Sequence, residues 1–250
     1  MPLGRVSSSI ENIANEIGAN KYYISGNGAM LYDMENKKII YENYIGKKKI
    51  LELVKLCDEN SIYYNIYTED SVITKSLNYN VAFYNYENSK KSESKKTNIN
   101  LIEDVYKYIE ESNVERFLKV TICDSDKVIF SSIIRKLKLV EDIDVLEISH
   151  MSRKTIKYGT TPIDIAYFYT EITNKDVDKW TALEELMKLK NIKKEEVMAI
   201  GDNINDKTMI ENAGLGIAMG QSTPKLIELA KNVTSDNNSN GVAEAINKHI

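Results

Sequence analysis

The chain has 250 residues, of which 42% are hydrophobic and 28% are charged, with a formal net charge of −4 at pH 7. This hydrophobic fraction is too high for a disordered chain, and no stretch approaches the ~20 apolar residues of a membrane span. The pI near 5.5 argues against a general nucleic-acid-binding protein. The isolated cysteines Cys57 and Cys123 lack metal-site spacing and fit a reducing environment, so we predict a cytoplasmic location.

The first 45 residues predict a helix, a strand and a hairpin. Apolar residues recur at helical spacing from Val6 to Ile17, and Gly18 follows as a helix stop. A short strand is predicted at 22–24, ending in a turn that contains Gly26, Asn27 and Gly28. The hairpin is predicted from two strands, at 29–32 and 38–41.

The middle of the chain has no glycine between residues 47 and 158 and therefore no glycine-rich phosphate loop. Its hydrophobic pattern predicts helices and strands in alternation. The helices are predicted at 47–58, 101–111 and 125–137, and the strands at 61–68, 117–123, 144–149 and 165–172. This composition indicates a separate α+β domain that interrupts the surrounding fold.

From residue 178 onward, strands and helices alternate in the manner of a parallel, doubly wound sheet. Helices are predicted at 178–189, 205–212, 223–231 and 241–248, with strands at 196–200 and 215–219. We therefore predict an α/β fold with a Rossmann-like core made of residues 1–45 and 173–250. Residues 46–172 form the inserted α+β domain.

The segment from Val197 to Asp206 is the one most typical of a reactive site. An apolar strand runs into Gly201 and Asp202, and Asn205 and Asp206 follow at the start of a helix. Ligands of open parallel sheets gather at the carboxyl ends of the strands, and a carboxylate is a hard ligand suited to Mg²⁺. Asp206 has a second interpretation, as a favourable charge at a helix N-terminus worth ~0.3–1 kcal/mol.

Lys179 lies near the start of a predicted helix, where a cation is unfavourable because the helix dipole is positive there. A phosphate group held at that helix end would explain the lysine. An ordinary surface lysine is the alternative.

Taken together, these segments resemble the haloacid dehalogenase superfamily of phosphatases, in its Cof-like branch with a type IIB cap. The resemblance covers essentially the whole chain. The matching segments are Ile24–Ala29, Lys179, Gly201–Asp206 with Met209, Ala218-Met219-Gly220 and Asn240-Gly241-Val242. It implies a cap at 46–172 and Mg²⁺-dependent hydrolysis of a small phosphomonoester, of sugar phosphate or nucleotide type.

The resemblance also implies roles for five residues. Asp202 would bind Mg²⁺. Lys179 would be the catalytic lysine that offsets charge on the phosphoryl group and, with Asn205 and Asn27, would bind the substrate phosphate. Asp206 would support the metal through water or hold Lys179 in place.

The family's first motif, an apolar strand ending in Asp-x-Asp-Gly, does not occur in the 250 residues. Its first aspartate is the nucleophile and its second the general acid–base. Pro2 and Leu3 resemble the residues that follow the family's second motif. We therefore expect the core sheet to lack its first two strands, the chain to be N-terminally shortened, and its turnover to be impaired.

One segment imitates the missing motif, because a strand-like run ends in Asp124-Ser125-Asp126. Lys127 replaces the glycine, and the segment falls inside the predicted cap. We expect Asp124 or Ser125 to be the N-cap of the following helix.

Two other functions compete with an impaired phosphatase: a non-catalytic phosphate-binding or regulatory protein, and a truncated fragment. For the impaired phosphatase and for the binding or regulatory protein, the predicted partner is a small phosphorylated metabolite, with no nucleic acid and no membrane involved. No sequence feature determines the oligomeric state.

Overall fold

The computed structural model describes residues 7–19, 21–146, 151–158 and 160–250. Two predicted features, the Pro2-Leu3 match and residues 147–149 of the strand predicted at 144–149, lie outside the described residues. The chain divides into two compact units, Met1–Val177 and Asp178–Ile250. The fold is α/β, with an antiparallel-rich sheet in the first unit and a parallel sheet in the second.

The first unit begins with a helix and a three-stranded antiparallel sheet. The pattern of the first 45 residues predicts the helix, the first strand and the hairpin, but not the pairing of that strand with the hairpin. The elements are α1 (Ser7–Glu16), β1 (Tyr22–Ser25), β2 (Met30–Asp33) and β3 (Lys38–Glu42). The strand order is β1-β2-β3. Ile10 and Ala14 of α1 are fully buried, which fits the apolar face of an amphipathic helix.

The rest of the first unit is built around a seven-stranded sheet with the order β6-β5-β4-β7-β10-β8, in which β9 pairs with β10. Only the β5–β6 pair among these is parallel. The helices are α2 (Lys47–Glu59), α3 (Tyr79–Asn88), α4 (Val105–Glu111) and α5 (Lys127–Leu137). The strands are β4 (Tyr63–Tyr67), β5 (Ser71–Thr74), β6 (Asn98–Leu101), β7 (Lys119–Asp124), β8 (Ile143–Val145), β9 (Ser152–Tyr158) and β10 (Thr161–Asn174).

The two faces of this sheet bury different side chains, because successive residues of a strand point to opposite sides. One face carries Ile66 and Ile73 and packs in a core with residues of α2, α4 and α5. The other face carries Tyr67 and Val72 and packs in a second core that includes Ile10 of α1. Both faces are therefore covered within the first unit.

The second unit alternates strand and helix around a parallel sheet with the order β11-β12-β13. Its elements are α6 (Lys179–Lys190), β11 (Met198–Gly201), α7 (Lys207–Asn212), β12 (Leu215–Ala218), α8 (Pro224–Leu229), β13 (Asn232–Val233) and α9 (Gly241–His249). Trp180, Met209, Ile210 and Leu226 are among the buried residues of its core. The strand–helix alternation predicted from residue 178 onward is confirmed.

Several boundaries in the middle of the chain differ from the prediction. Residues 98–101 form a strand, and the helix predicted from Leu101 begins at Val105, because the Asp104 carboxylate caps it by accepting from the Lys107 N–H. Elements β5, α3 and β9 were not predicted.

The expectation that Asp124 or Ser125 caps the helix after β7 is wrong. Asp126 is the N-cap, since its carboxylate accepts hydrogen bonds from the backbone N–H groups of Val128 and Ile129 at 2.7 and 3.1 Å. An N-cap side chain accepts from the N–H groups two and three residues further along the chain. The helix therefore begins at Lys127, two residues later than predicted.

The hairpin of β2 and β3 lies in the same compact unit as residues 46–172. The division into core segments 1–45 and 173–250 and a cap at 46–172 therefore stays a prediction. Among the described residues, every helix is too short or too polar to cross a membrane.

Candidate functional site

The carboxyl end of β11 holds the segment that the sequence singled out. The strand ends at Gly201, and the chain then passes through a single 3-10 turn, Ile204–Asp206, into α7. A Cβ added to Gly201 would lie 2.4 Å from the Cβ atom of Asp206 and 2.9 Å from its Oδ2. Glycine is therefore required here so that the Asp206 side chain can fold back onto the end of the strand.

Asp206 is 4% exposed, and both of its carboxylate oxygens have partners within the second unit. Oδ2 accepts from the backbone N–H groups of Asp202 and Asn203 at 3.0 and 3.1 Å. Oδ1 accepts from Nζ of Lys179 at 2.6 Å. One buried carboxylate thus fixes the turn after β11 and binds a lysine from another helix.

Lys179 is the first residue of α6 and is only 5% exposed, so an ordinary surface lysine is excluded. The carboxylate of Asp178, the N-cap, accepts from the N–H groups of Trp180 and Thr181 and starts the helix. The ion pair with Asp206 offsets the unfavourable position of a cation at a helix N-terminus. A buried cation held in this way is a suitable partner for an anionic ligand.

Asp202 and Asn205 lie just before Asp206 in the chain. The Asp202 side chain is exposed, and within the described residues its carboxylate has no hydrogen-bond or ion-pair partner. Asn205 lies in the 3-10 turn and is half-buried. The structure thus brings Lys179 and Asp206 into contact and places Asp202 and Asn205 in the segment between β11 and α7.

The donor set can be tested against Mg²⁺, which prefers carboxylate oxygens and water. Asp202 fits, since its carboxylate is exposed and uncommitted. Asp206 fits the second of its two implied roles, holding Lys179, because both of its oxygens are already occupied. Over the part of the chain that is described, no three His, Cys, Asp or Glu residues cluster into a metal site.

Asn27 belongs to the first unit and lies in the turn after β1, with a left-handed φ of 62°. It is 5% exposed. Its Nδ2 donates to Oε2 of Glu171 at 2.6 Å, and the other oxygen of Glu171 binds Nζ of the buried Lys119. The residue predicted to bind phosphate is therefore anchored by a buried ion pair within its own unit.

Sequence reasoning missed Lys119 and Glu171. The signal available for Lys119 was a charged residue inside a strand whose neighbours Leu118 and Val120 are apolar. Such a residue in a buried strand requires a partner of opposite charge, but the sequence does not identify it. The partner lies 52 residues away.

Burial raises the pKa of the Cys57 thiol and that of the Cys123 thiol well above the ordinary value. Both side chains are buried. A cysteine nucleophile works as the thiolate, so neither residue is suited to that role.

Comparison with known proteins shows which proteins the chain resembles. Residues 4–246 match the family model of haloacid dehalogenase-like hydrolases. Phosphatase YwpJ of Bacillus subtilis (strain 168) is 26% identical over 99% of this chain and 85% of its own length.

Solved structures show the same fold. A haloacid dehalogenase-like hydrolase from B. subtilis superposes with a TM-score of 0.79 at 22% identity, covering 100% of this chain and 86% of its own. A sugar phosphatase of subclass IIB of the superfamily superposes with a TM-score of 0.66 at 16% identity, covering 95% of this chain and 79% of its own. The haloacid dehalogenase resemblance inferred from the motifs is confirmed by the family match over residues 4–246.

Proposed function

Since the chain belongs to the haloacid dehalogenase-like hydrolases, we propose that its site binds the phosphate of a small phosphomonoester and acts in Mg²⁺-dependent phosphoryl transfer. The observation that carries this proposal is the buried Lys179–Asp206 ion pair beside the exposed Asp202 at the carboxyl end of β11. Phosphoryl transfer depends mainly on positioning and charge neutralisation. A preorganised buried lysine supplies both.

Each residue has one role in the proposal. Nζ of Lys179 neutralises phosphate charge, and Asp206 keeps that ammonium in place. Asp202 holds Mg²⁺, which supplies further charge neutralisation when bound. Asn205 donates a hydrogen bond to a phosphate oxygen. Phosphate binding by Asn27, which lies in the first unit, stays a prediction from the family resemblance. The two unpaired cysteines, Cys57 and Cys123, support a cytoplasmic location for this activity.

We further propose that the 250-residue chain turns over slowly, because it contains no Asp-x-Asp-Gly sequence to supply a nucleophile and a general acid–base. The same observation favours a second candidate function, binding of a phosphorylated metabolite without turnover. The two candidates share the phosphate site and differ only in the chemical step.

The test combines binding with catalysis. Calorimetry with inorganic phosphate is expected to give binding that strengthens when Mg²⁺ is added, and Asp202→Asn is expected to remove the strengthening. Glu228→Gln is the matched control, since Glu228 is also an exposed acidic residue of the second unit. A phosphate affinity that changes neither when Mg²⁺ is added nor in Asp202→Asn would contradict the proposed site.

Hydrolysis of p-nitrophenyl phosphate then separates the two candidates. Slow turnover that is lost in Asp202→Asn favours an impaired enzyme, and binding without turnover favours the non-catalytic function. Robust turnover abolished by Asp202→Ala would refute the expected impairment and would imply a nucleophile elsewhere in the chain.

A further inference from the structure

A groove at one edge of the seven-stranded sheet has no part in the proposed phosphate chemistry. It lies beside the edge strand β6. Its volume of about 540 Å³ falls within the ~300–1,000 Å³ typical of small-molecule sites. We call it the strand-edge groove and define it by Ser71, Asn98, Asn100, Tyr108, Asn113 and Arg116.

The strand-edge groove opens on the face of the sheet that packs against α2, α4 and α5. Ser71 pairs with Asn98 and Ile73 with Asn100 across the parallel β5–β6 ladder, so these four side chains point to one side. Ile73 belongs to the core on that side. Lys119, which pairs with Tyr67 of the opposite face, points away from the groove.

The groove has more hydrogen-bonding capacity than its own residues use. Within the described residues, the side chains of Asn98, Asn113 and Tyr108 have no hydrogen-bond partner, and Asn100 donates only to Oγ of Ser71, at 3.3 Å. The Arg116 guanidinium forms ion pairs at 3.5 and 3.6 Å, near the limit of such contacts. Amides offer donors and acceptors together, so the uncommitted groups suit a ligand that presents both.

The charge of the lining argues against an anionic ligand. The lining contains three carboxylates, those of Glu69, Asp70 and Glu115, and one guanidinium, that of Arg116. The carboxylates are partly satisfied already: Glu69 accepts from the Tyr44 hydroxyl at 2.9 Å, Asp70 accepts from the Thr68 hydroxyl at 2.9 Å, and Glu115 pairs with Nζ of Lys47 at 3.6 Å. They therefore repel a phosphate and do not form an open cation site.

The floor of the groove is apolar. Tyr108 and Val114 are half-buried and pack against the core that contains Ile73, so they present the apolar surface of the lining. A ligand that fits has hydroxyl groups on its rim and a C–H face that rests on this floor. Amide and carboxylate side chains around an apolar patch meet both requirements.

We propose that the strand-edge groove binds a neutral polyhydroxylated ligand, a free sugar or a cyclitol. The hydroxyl groups pair with Asn98, Asn113 and Tyr108, and the ring's C–H face lies over the half-buried Val114 and the ring of Tyr108. None of the residues that define the groove is among those proposed to bind phosphate or Mg²⁺.

Calorimetry tests the proposal with four probes: glucose, maltose, myo-inositol and glucose 6-phosphate. At least one neutral probe is expected to bind with a millimolar Kd, and the Asn98→Ala/Asn113→Ala double variant is expected to weaken it ~10-fold. Asn247→Ala is the matched control, since Asn247 is an exposed amide of the second unit. Asp202→Asn is also expected to leave sugar binding unchanged, which separates this proposal from the proposed function.

The double variant is expected to fold normally because both side chains are exposed and make no hydrogen bonds within the described residues. Backbone amide shifts in an NMR titration give a second readout, expected at Ser71, Asn98 and Asn100. Three results overturn the proposal: no binding of any neutral probe, binding that the double variant leaves unchanged, or tighter binding of glucose 6-phosphate than of glucose at this groove.

Discussion

Replacing Asp206 by asparagine tests the buried ion pair on which the candidate site is built. Asparagine keeps the size of the side chain and one oxygen, so it can still accept from the backbone N–H groups of Asp202 and Asn203, as Oδ2 does at 3.0 and 3.1 Å. It removes the charge that faces Nζ of Lys179 at 2.6 Å. The substitution therefore isolates the ion pair from the turn that Asp206 also caps.

The expected cost follows from burial. Lys179 and Asp206 are 5% and 4% exposed, and breaking a buried pair by removing one partner costs ~3–5 kcal/mol because an uncompensated charge remains. Asp206→Ala also removes the acceptor for the N–H groups of Asp202 and Asn203 and is expected to cost about 1 kcal/mol more. Lys179→Met removes the stranded charge, so Asp206→Asn in that background is expected to cost less than it does alone.

Urea denaturation followed by tryptophan fluorescence measures these costs in the relevant part of the molecule. The chain has one tryptophan, Trp180, and it is buried in the core of the second unit beside Lys179. Glu211→Gln is the control, since its pair with Lys207 is a half-exposed i,i+4 contact at 3.8 Å worth ~0.3–0.5 kcal/mol.

The reasoning is refuted if Asp206→Asn destabilises the second unit no more than Glu211→Gln does. It is also refuted if the losses of unfolding free energy caused by Lys179→Met and by Asp206→Asn simply add in the double variant. Either result would mean that the two charges are hydrated or apart in solution.

Three further substitutions or conditions test other contacts. Gly201→Ala places a Cβ 2.4 Å from that of Asp206 and is expected to destabilise the second unit by ~1–3 kcal/mol in the same urea assay; an unchanged midpoint would contradict the close approach. Asn65 is fully buried, and neither of its amide atoms has a hydrogen-bond partner within the described residues, which costs the folded protein ~1–3 kcal/mol. Asn65→Leu is therefore expected to raise the thermal midpoint, and a lower midpoint would indicate that the amide is satisfied in solution. Hydrogen bonds from Asn36 in its own turn hold the pKa of Asp33 below 3.8. The contribution of Asp33 to folding stability is therefore present above pH 3.8 and is lost as the pH falls through the folded-state pKa. A pKa of Asp33 at or above 3.8 in an NMR titration would contradict this.

The elements that the sequence predicted best are those set by local patterns. Helix α2, the β2–β3 hairpin and the alternating second unit all follow from periodicity over a few turns or strands. The turn after β11 is local as well, since Gly201 and Asp206 are five residues apart and their contact depends only on the chain between them. The family motifs at Lys179 and Asp202 are short local strings, so the amino-acid sequence alone is enough to recognise them.

The elements that the sequence missed depend on neighbours far along the chain. Strand β6, with the sequence Asn98-Ile99-Asn100-Leu101, alternates polar and apolar residues over only four positions, and it is fixed by parallel pairing with β5. β1 likewise matched the family's strand motif, but its pairing in an antiparallel sheet with β2 could not be read from its four residues. Pairing energy is shared between partners, and one partner alone does not reveal it.

The amino-acid sequence by itself determined the family, the second unit's strand–helix alternation, and which residue types are available for phosphate and metal. Only the tertiary structure decided what those residues contact. It buried Lys179 against Asp206, 27 residues away, and anchored Asn27 on Glu171, 144 residues away. The physical reason is that burial and charge pairing depend on the distance between side chains in space, whereas periodicity and motifs record only their distance along the chain.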